Sequence, residues 1–117
     1  MIESDYQRAL LLRVAVAIPD VRFLRRNVGL VRMVDGRMFR AASPGQCDLY
    51  AIGRDDARHY EVELKRHGAK LSPEQEQWRS WCAEWGVPHC VLVVGKGEAP
   101  TDTIDRWVAI LRAFVSG

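Results

Sequence analysis

The chain has no apolar run long enough to cross a bilayer. Arg13 interrupts the stretch from Ala9 to Ile18, and a spanning helix needs about 20 apolar residues. Its start, Met1-Ile2-Glu3-Ser4-Asp5, is acidic and does not read as a secretory signal. A soluble, cytoplasmic chain without a membrane partner is therefore expected. Cysteine is scarce and odd in number. Cys47, Cys82 and Cys90 lie in apolar surroundings with no C-x2-C or H-x3-H spacing near them. That argues against a disulfide framework and a structural zinc site, and for reduced core thiols. There is no nucleotide-binding loop either, since Gly95-Lys96-Gly97-Glu98-Ala99-Pro100 lacks the G-x-x-x-x-G-K-[ST] pattern. No repeat, Pro/Gly-rich linker or long charge block divides the 117 residues. They read as one domain, 1–117, able to bury roughly two-thirds of its unfolded surface. The net charge of +2 is too small to prove a polyanionic partner.

What is present is a regular alternation of elements. Tyr6, Leu10, Val14 and Ile18 recur every four residues, widened by Ala9, Leu11 and Ala17, and predict a first helix that Pro19 ends. Cys47 to Ile52 and His59 to Lys65 read as strands joined by a polar hairpin loop, Gly53 to Arg58. Ser72, Pro73 and Gln75 form a capping-box start for a second helix, with Trp78, Trp81, Cys82 and Trp85 as its apolar stripe. That spacing favours core packing over base stacking. Gly86 closes the helix, and Pro88 to Val94 predicts an apolar strand covered on both faces, with His89 at its edge. Thr101 is the expected cap of a last helix carrying Ile104, Trp107, Val108, Leu111, Phe114 and Val115. The order is helix, three strands, helix, strand, helix, an α/β fold with a mixed sheet flanked by helices.

Asp48 follows a Ser43-Pro44-Gly45 turn, and fifteen residues later Glu63-Leu64-Lys65 sits inside an apolar strand. Two carboxylates suit a hard cation such as Mg2+ or Mn2+, leaving coordination positions for water and a phosphate oxygen. A lysine beside them can stabilise charge developing at phosphorus, or orient the attacking water. In His59-Tyr60-Glu61-Val62-Glu63-Leu64-Lys65 strand alternation puts Glu63 and Lys65 on one face, with Leu64 on the other. Glu61 shares the Glu63 face. The competing reading is a merely solvated strand face, where alternate charges are ordinary. Upstream, six arginines at 22, 25, 26, 32, 37 and 40 stand against one acid, Asp35. Such a stretch fits phosphate contacts or simply solubility, and its place just before the carboxylates favours phosphate.

The ordered set Glu3-Ser4-Asp5-Tyr6-Gln7, Arg25-Arg26-Asn27-Val28-Gly29, Pro44-Gly45-Gln46-Cys47-Asp48, Glu61-Val62-Glu63-Leu64-Lys65-Arg66, Gly68 and Leu71 to Trp78 resembles the VRR-NUC family of the PD-(D/E)xK nuclease superfamily, in particular its small stand-alone members from phages and bacteria. The resemblance runs from Glu3 to about Phe114. It implies a restriction-endonuclease-like core in the order αβββαβα, and an endonuclease hydrolysing DNA phosphodiesters with Mg2+ or Mn2+ in a bacterial or phage-infected cell. It further implies Asp48, Glu63 and the Leu64 carbonyl as metal ligands, Lys65 as catalytic lysine, and Glu3 and Gln75 at the edge of the site. An acid at a helix start is also favoured by the dipole alone, and Gln75 has its capping role. The nucleic-acid candidates are Arg25, Arg26, Asn27, Arg37, Arg40 and Arg66. Branched or structured DNA, including four-way junctions, and a homodimer follow from the resemblance alone. The alternative is a non-catalytic DNA-binding module of nuclease-like fold.

Overall fold

The computed structural model describes residues 1–26, 30–40 and 44–117. Helix α1 spans Glu3–Ala17, followed by strands β1, Val21–Arg25, β2, Leu30–Arg32, β3, Met38–Arg40, β4, Leu49–Gly53, and β5, His59–Lys65. Helix α2, Pro73–Glu84, strand β6, His89–Val93, and helix α3, Pro100–Ser116, complete the chain. The central sheet runs β1-β4-β5-β6, antiparallel except for the parallel β5 and β6 pair. Helices and central strands alone follow the expected αβββαβα order of a restriction-endonuclease-like core. A separate antiparallel ribbon, β2 with β3, is inserted between β1 and β4 in the arginine-rich stretch.

The two faces of the sheet are chemically different, and this places the site. One face carries Phe23, Leu49, Ala51, Tyr60, Val62, Leu64 and Leu92, which pack with Leu10, Val14 and Ile18 of the α1 segment and Ile104, Trp107, Val108 and Leu111 of α3. Each fully buried aliphatic or aromatic side chain there contributes roughly 1.5–3 kcal/mol over its exposed state. Trp107 is fully buried, and its indole N–H donates to the Val93 carbonyl at 3.1 Å. The opposite face carries Tyr50, His59, Glu61, Glu63 and Lys65, as the β4–β5 register and the period of two require. Both faces of β5 are covered: Glu61 and Glu63 are only 1% and 3% exposed. The solvated-face reading of this strand is therefore wrong.

Two further expectations are corrected, and one is met at the sheet edge. Helix α2 covers the polar face, not the apolar core, so Cys82 alone of its stripe is buried while Trp81 and Trp85 are 41% and 69% exposed. β6 is an edge strand, yet none of its residues is exposed and Leu92 is fully buried, in keeping with a sheet covered on both faces. α3 begins at Pro100 with Ala99 as N-cap, leaving Thr101 inside the helix; Pro at the first helical position fixes the entry.

Gly45 joins the loop before β4 to α2. Its φ is +87°, and a Cβ there would collide with the Glu74 carbonyl. Gly45→Ala should therefore lose about 1–2 kcal/mol from the left-handed backbone, plus the cost of displacing the α2 start. Gly68→Ala, at φ +77° with open space around it, should lose only the first part. Equal shifts in thermal unfolding would remove the close approach as a cause.

Candidate functional site

β4 begins at Leu49, and just before it the Asp48 side chain takes up the β5 backbone: the Leu64 N–H donates to Asp48 Oδ2 at 3.0 Å. That bond, with the Arg26 N–H donating to the Asp48 carbonyl at 2.8 Å, fixes the carboxylate beside Glu63. Glu63 projects from the polar face of β5 beneath α2. Its Oε1 accepts from Gln75 Nε2 at 3.3 Å, whereas its Oε2 is buried and, among the described residues, faces no hydrogen-bond donor other than a proton shared with the neighbouring carboxyl.

Burial, then hydrogen bonding with and the charge of Asp48, push Glu63 up to about 9, with Lys65 and Cys47 offsetting part of this. Metal-free Glu63 thus keeps its proton at neutral pH. Glu3, at the start of α1, is also raised, first by burial and then by the Asp48 charge, against Lys65 and Arg66. Its electrostatic neighbours place it at the same end of β5. There Glu3, Leu64, Lys65 and Arg66 line a cleft of about 340 Å3.

Gln75 has two simultaneous contacts. Its Oε1 accepts from the Ser72 N–H at 2.9 Å and its backbone N–H donates to Ser72 Oγ at 3.1 Å, completing the capping box. The amide nitrogen remains directed at Glu63. Capping and contact with the site use different atoms of one side chain.

Glu61 is built differently from Glu63. Arg26 grips it with both ends of its fork, Nη1 to Oε1 at 2.6 Å and Nη2 to Oε2 at 2.8 Å. His59 Nε2 lies 2.5 Å from Oε2, and the Trp78 indole N–H donates to Oε1 at 3.0 Å. Burial alone would raise the Glu61 pKa, but the hydrogen bonds from Arg26 and His59, then the Arg26 charge, outweigh it and leave it lowered. Of the two glutamates on this face, Glu61 is saturated and Glu63 is the one open beside Asp48.

The nucleic-acid candidates divide. Arg26 is engaged by Glu61 and its side chain is only 14% exposed, so its assignment to phosphate is corrected to a structural one. Arg25 and Arg66 are exposed, but Arg25 pairs with Leu49 and shares the face opposite Glu63. Arg37 is exposed and bonded to Asp35 at 2.8 Å. Asn27 and the Arg40 side chain lie outside the described residues. Sequence reasoning missed Tyr50, His59 and Trp78 around Glu61. The wide separation of Arg26 from its partner leaves no local signal.

Among the described residues, no group of three or more His, Cys, Asp and Glu side chains is placed to hold a metal ion. The donors at hand are two carboxylates, on Asp48 and Glu63, and the neighbouring Leu64 carbonyl. All are hard oxygen donors of the type Mg2+ and Mn2+ take, with remaining positions usually left to water. The orphaned Glu63 Oε2 and the raised Glu63 pKa fit such an ion, which would restore a partner to one and displace the proton from the other.

The raised pKa gives a pH prediction. A group raised in the fold contributes stability that is present below its unfolded value and lost on the way up through its folded one. For Glu63 that window runs from the ordinary 4.5 to about 9. Metal-free wild type should lose stability across it relative to Glu63→Gln, which carries no titrating group. Parallel pH profiles of the two melting temperatures would refute the assignment.

No family model matches the chain, and no curated protein matches it. Two solved structures do. One is a "VRR_NUC domain" structure, 19% identical, matched over 92% of this chain and 94% of that one with a TM-score of 0.55; at this identity the likeness is one of fold. The other is a crystal structure of paFAN1 bound to 2nt 5′ flap DNA with gap, 31% identical over 44% of this chain, with a TM-score of 0.40. The chain spans 9% of that protein's length.

Proposed function

We propose that the chain is a metal-dependent DNA endonuclease, with Asp48, Glu63 and the Leu64 carbonyl holding Mg2+ or Mn2+ and Lys65 as the catalytic lysine. The observation that carries this reading is the buried Glu63 carboxyl, pressed against the Asp48 carboxylate and, among the described residues, met at Oε2 by no cationic or N–H donor. A structural acid in that position would be paired, as Glu61 is. The full-length likeness in fold to a VRR_NUC domain supports the same direction.

The bound cation would act as a Lewis acid toward a phosphate oxygen and its water. Asp48, tethered by the Leu64 N–H, and Glu63, held by Gln75, keep their oxygens in place before DNA arrives, so no reorganisation is needed during the reaction. Lys65 shares the Glu63 face at the end of β5 and offers a cation to the phosphoryl oxygens. Glu3 adds a third carboxyl at the rim, suited to receiving a proton from water. Arg66 and Arg37 supply exposed positive charge for the flanking phosphates.

The reading extends to one nuclease domain over 1–117, to branched or structured DNA including four-way junctions, to action in the cytoplasm and to a homodimer making paired cuts. Purified protein tested on single-stranded, duplex, flapped and four-way DNA with Mg2+ or Mn2+ is expected to cut, with preference for the branched forms. Salt-sensitive binding without a cut on any substrate would instead support the non-catalytic DNA-binding module.

A further inference from the structure

A second pocket lies beside the carboxylate pair, on the same sheet face. About 340 Å3 in volume, it is lined by Arg26, Gln46, His59, Glu61, Trp78 and Trp81, among others, within the size range of small-molecule sites. His59 and Trp78 bond different oxygens of Glu61 and so flank the carboxylate, with the Arg26–Glu61 pair behind them. The indoles continue as a ladder along α2: Trp78 and Trp81 stack with centroids 4.8 Å apart and planes 20° apart, and Trp81 and Trp85 follow at 5.7 Å and 27°. His59 in turn stacks on Tyr50 at 11°.

We propose that this pocket binds an unpaired nucleobase of the DNA strand, held by the indole edge of α2 and the His59 ring. Three observations select that occupant. First, the buried charges cancel, because Arg26 and Glu61 grip each other in a two-point pair. The pocket therefore offers hydrogen bonds without the surplus positive charge that a phosphate needs, and suits a neutral planar ring. Second, Trp81 and Trp85 remain 41% and 69% exposed although they stack, and stacked aromatic platforms take bases irrespective of sequence. Third, the pocket lies on the same sheet face as the candidate site, a short way along β5. Glu61 lies two residues before Glu63 on one strand face, a separation of about 7 Å, and Gln46 stands two residues before Asp48.

A strand whose phosphate meets Asp48 and Glu63 can thus place a neighbouring base in the pocket, provided that base is not paired. Gln46 and His59 are the side chains able to read its edge, while the Arg26–Glu61 pair sets the floor. The substrate class is DNA with an unpaired nucleotide next to the cut, as at a flap, gap or junction. The inference rests on the nucleic-acid part of the proposed function and not on hydrolysis.

The test is binding without metal, in EDTA and low salt, of fluorescent oligothymidylate and of an equally long oligomer made of abasic sites. The two carry the same phosphates. Wild type is expected to bind the base-bearing strand at least about tenfold more tightly, within the range for loss of one stacked base. Trp81→Ala should erase the preference, Trp81→Phe should keep most of it, and His59→Ala should weaken it. Equal binding of both strands by wild type would overturn the proposal. So would an undiminished preference in folded Trp81→Ala or, should that variant not fold, in His59→Ala. Cleavage with Mn2+ is scored separately on the same wild-type preparation. Cutting without base preference rejects only the pocket, and base preference without cutting rejects only the nuclease.

Discussion

Lys65→Ala is expected to slow metal-dependent DNA cleavage by about a hundredfold or more, with little change in DNA affinity. One preorganised charge directed at a developing oxyanion is worth about 10²–10³ in rate, which sets the size of the effect. Lys65 is the last residue of β5, half-buried, and its strand partner is Val93. It shares a face with Glu63 and contributes to the electrostatics of both Glu63 and Glu3. Affinity should persist because the exposed arginines remain and counterion release depends on the number of phosphates met. Lys65→Arg should restore the charge but not the rate, since a planar fork cannot replace a compact ammonium. Single-turnover rates beside anisotropy titrations check both statements. A Lys65→Ala rate within a few-fold of wild type would remove the lysine from the chemistry.

The largest stability loss is expected from Arg26→Ala, about 3–5 kcal/mol, the usual cost of leaving one half of a buried ion pair. Glu61 would keep His59 and Trp78 but lose the two-point pair and the positive charge that offset its burial. The sign can be checked within the same network. Arg26→Ala combined with Glu61→Gln should be less destabilised than Arg26→Ala alone, because the stranded charge is gone. The lowered Glu61 pKa also means that its contribution is present above the ordinary carboxylate value and lost as pH falls through its folded one. Denaturant unfolding of the two variants measures the difference. A loss below about 1 kcal/mol in Arg26→Ala would mean that Glu61 finds another partner or takes up a proton cheaply.

These two side chains mark the limit of what the sequence made legible. Local signals were strong enough for the Ser72 capping box, for the hairpin that sets β4 against β5, and for alternation placing Glu63 with Lys65 opposite Leu64. Those features depend on residues a few positions apart. The Arg26–Glu61 pair links positions 35 apart, and in sequence Arg26 is one more arginine in a basic stretch. The α2 tryptophans failed for a related reason. Their spacing correctly describes one helical face, yet spacing says nothing about what lies beneath it. Here that is a polar sheet face with ion pairs, while the apolar face is filled by α1 and α3. The β2–β3 ribbon was hidden within the arginine-rich stretch, where charge outweighs any alternation. β6 was legible as an apolar strand, but its place at the edge of the sheet was not, because that depends on which strand it pairs with.

The central claim is that Asp48 and Glu63 form the metal-binding heart of a nuclease, and it is tested most directly by cleavage rate against Mn2+ concentration for wild type and Glu63→Gln. Glutamine keeps the size and the Gln75 neighbour while removing the charge, so the variant should fold and, without metal at neutral to alkaline pH, be at least as stable as wild type. Wild type should show a saturable dependence on the cation with no cutting in EDTA, and Glu63→Gln should cut at no concentration that saturates wild type. Cutting by Glu63→Gln at the wild-type rate, or by wild type equally well in EDTA, would contradict the account.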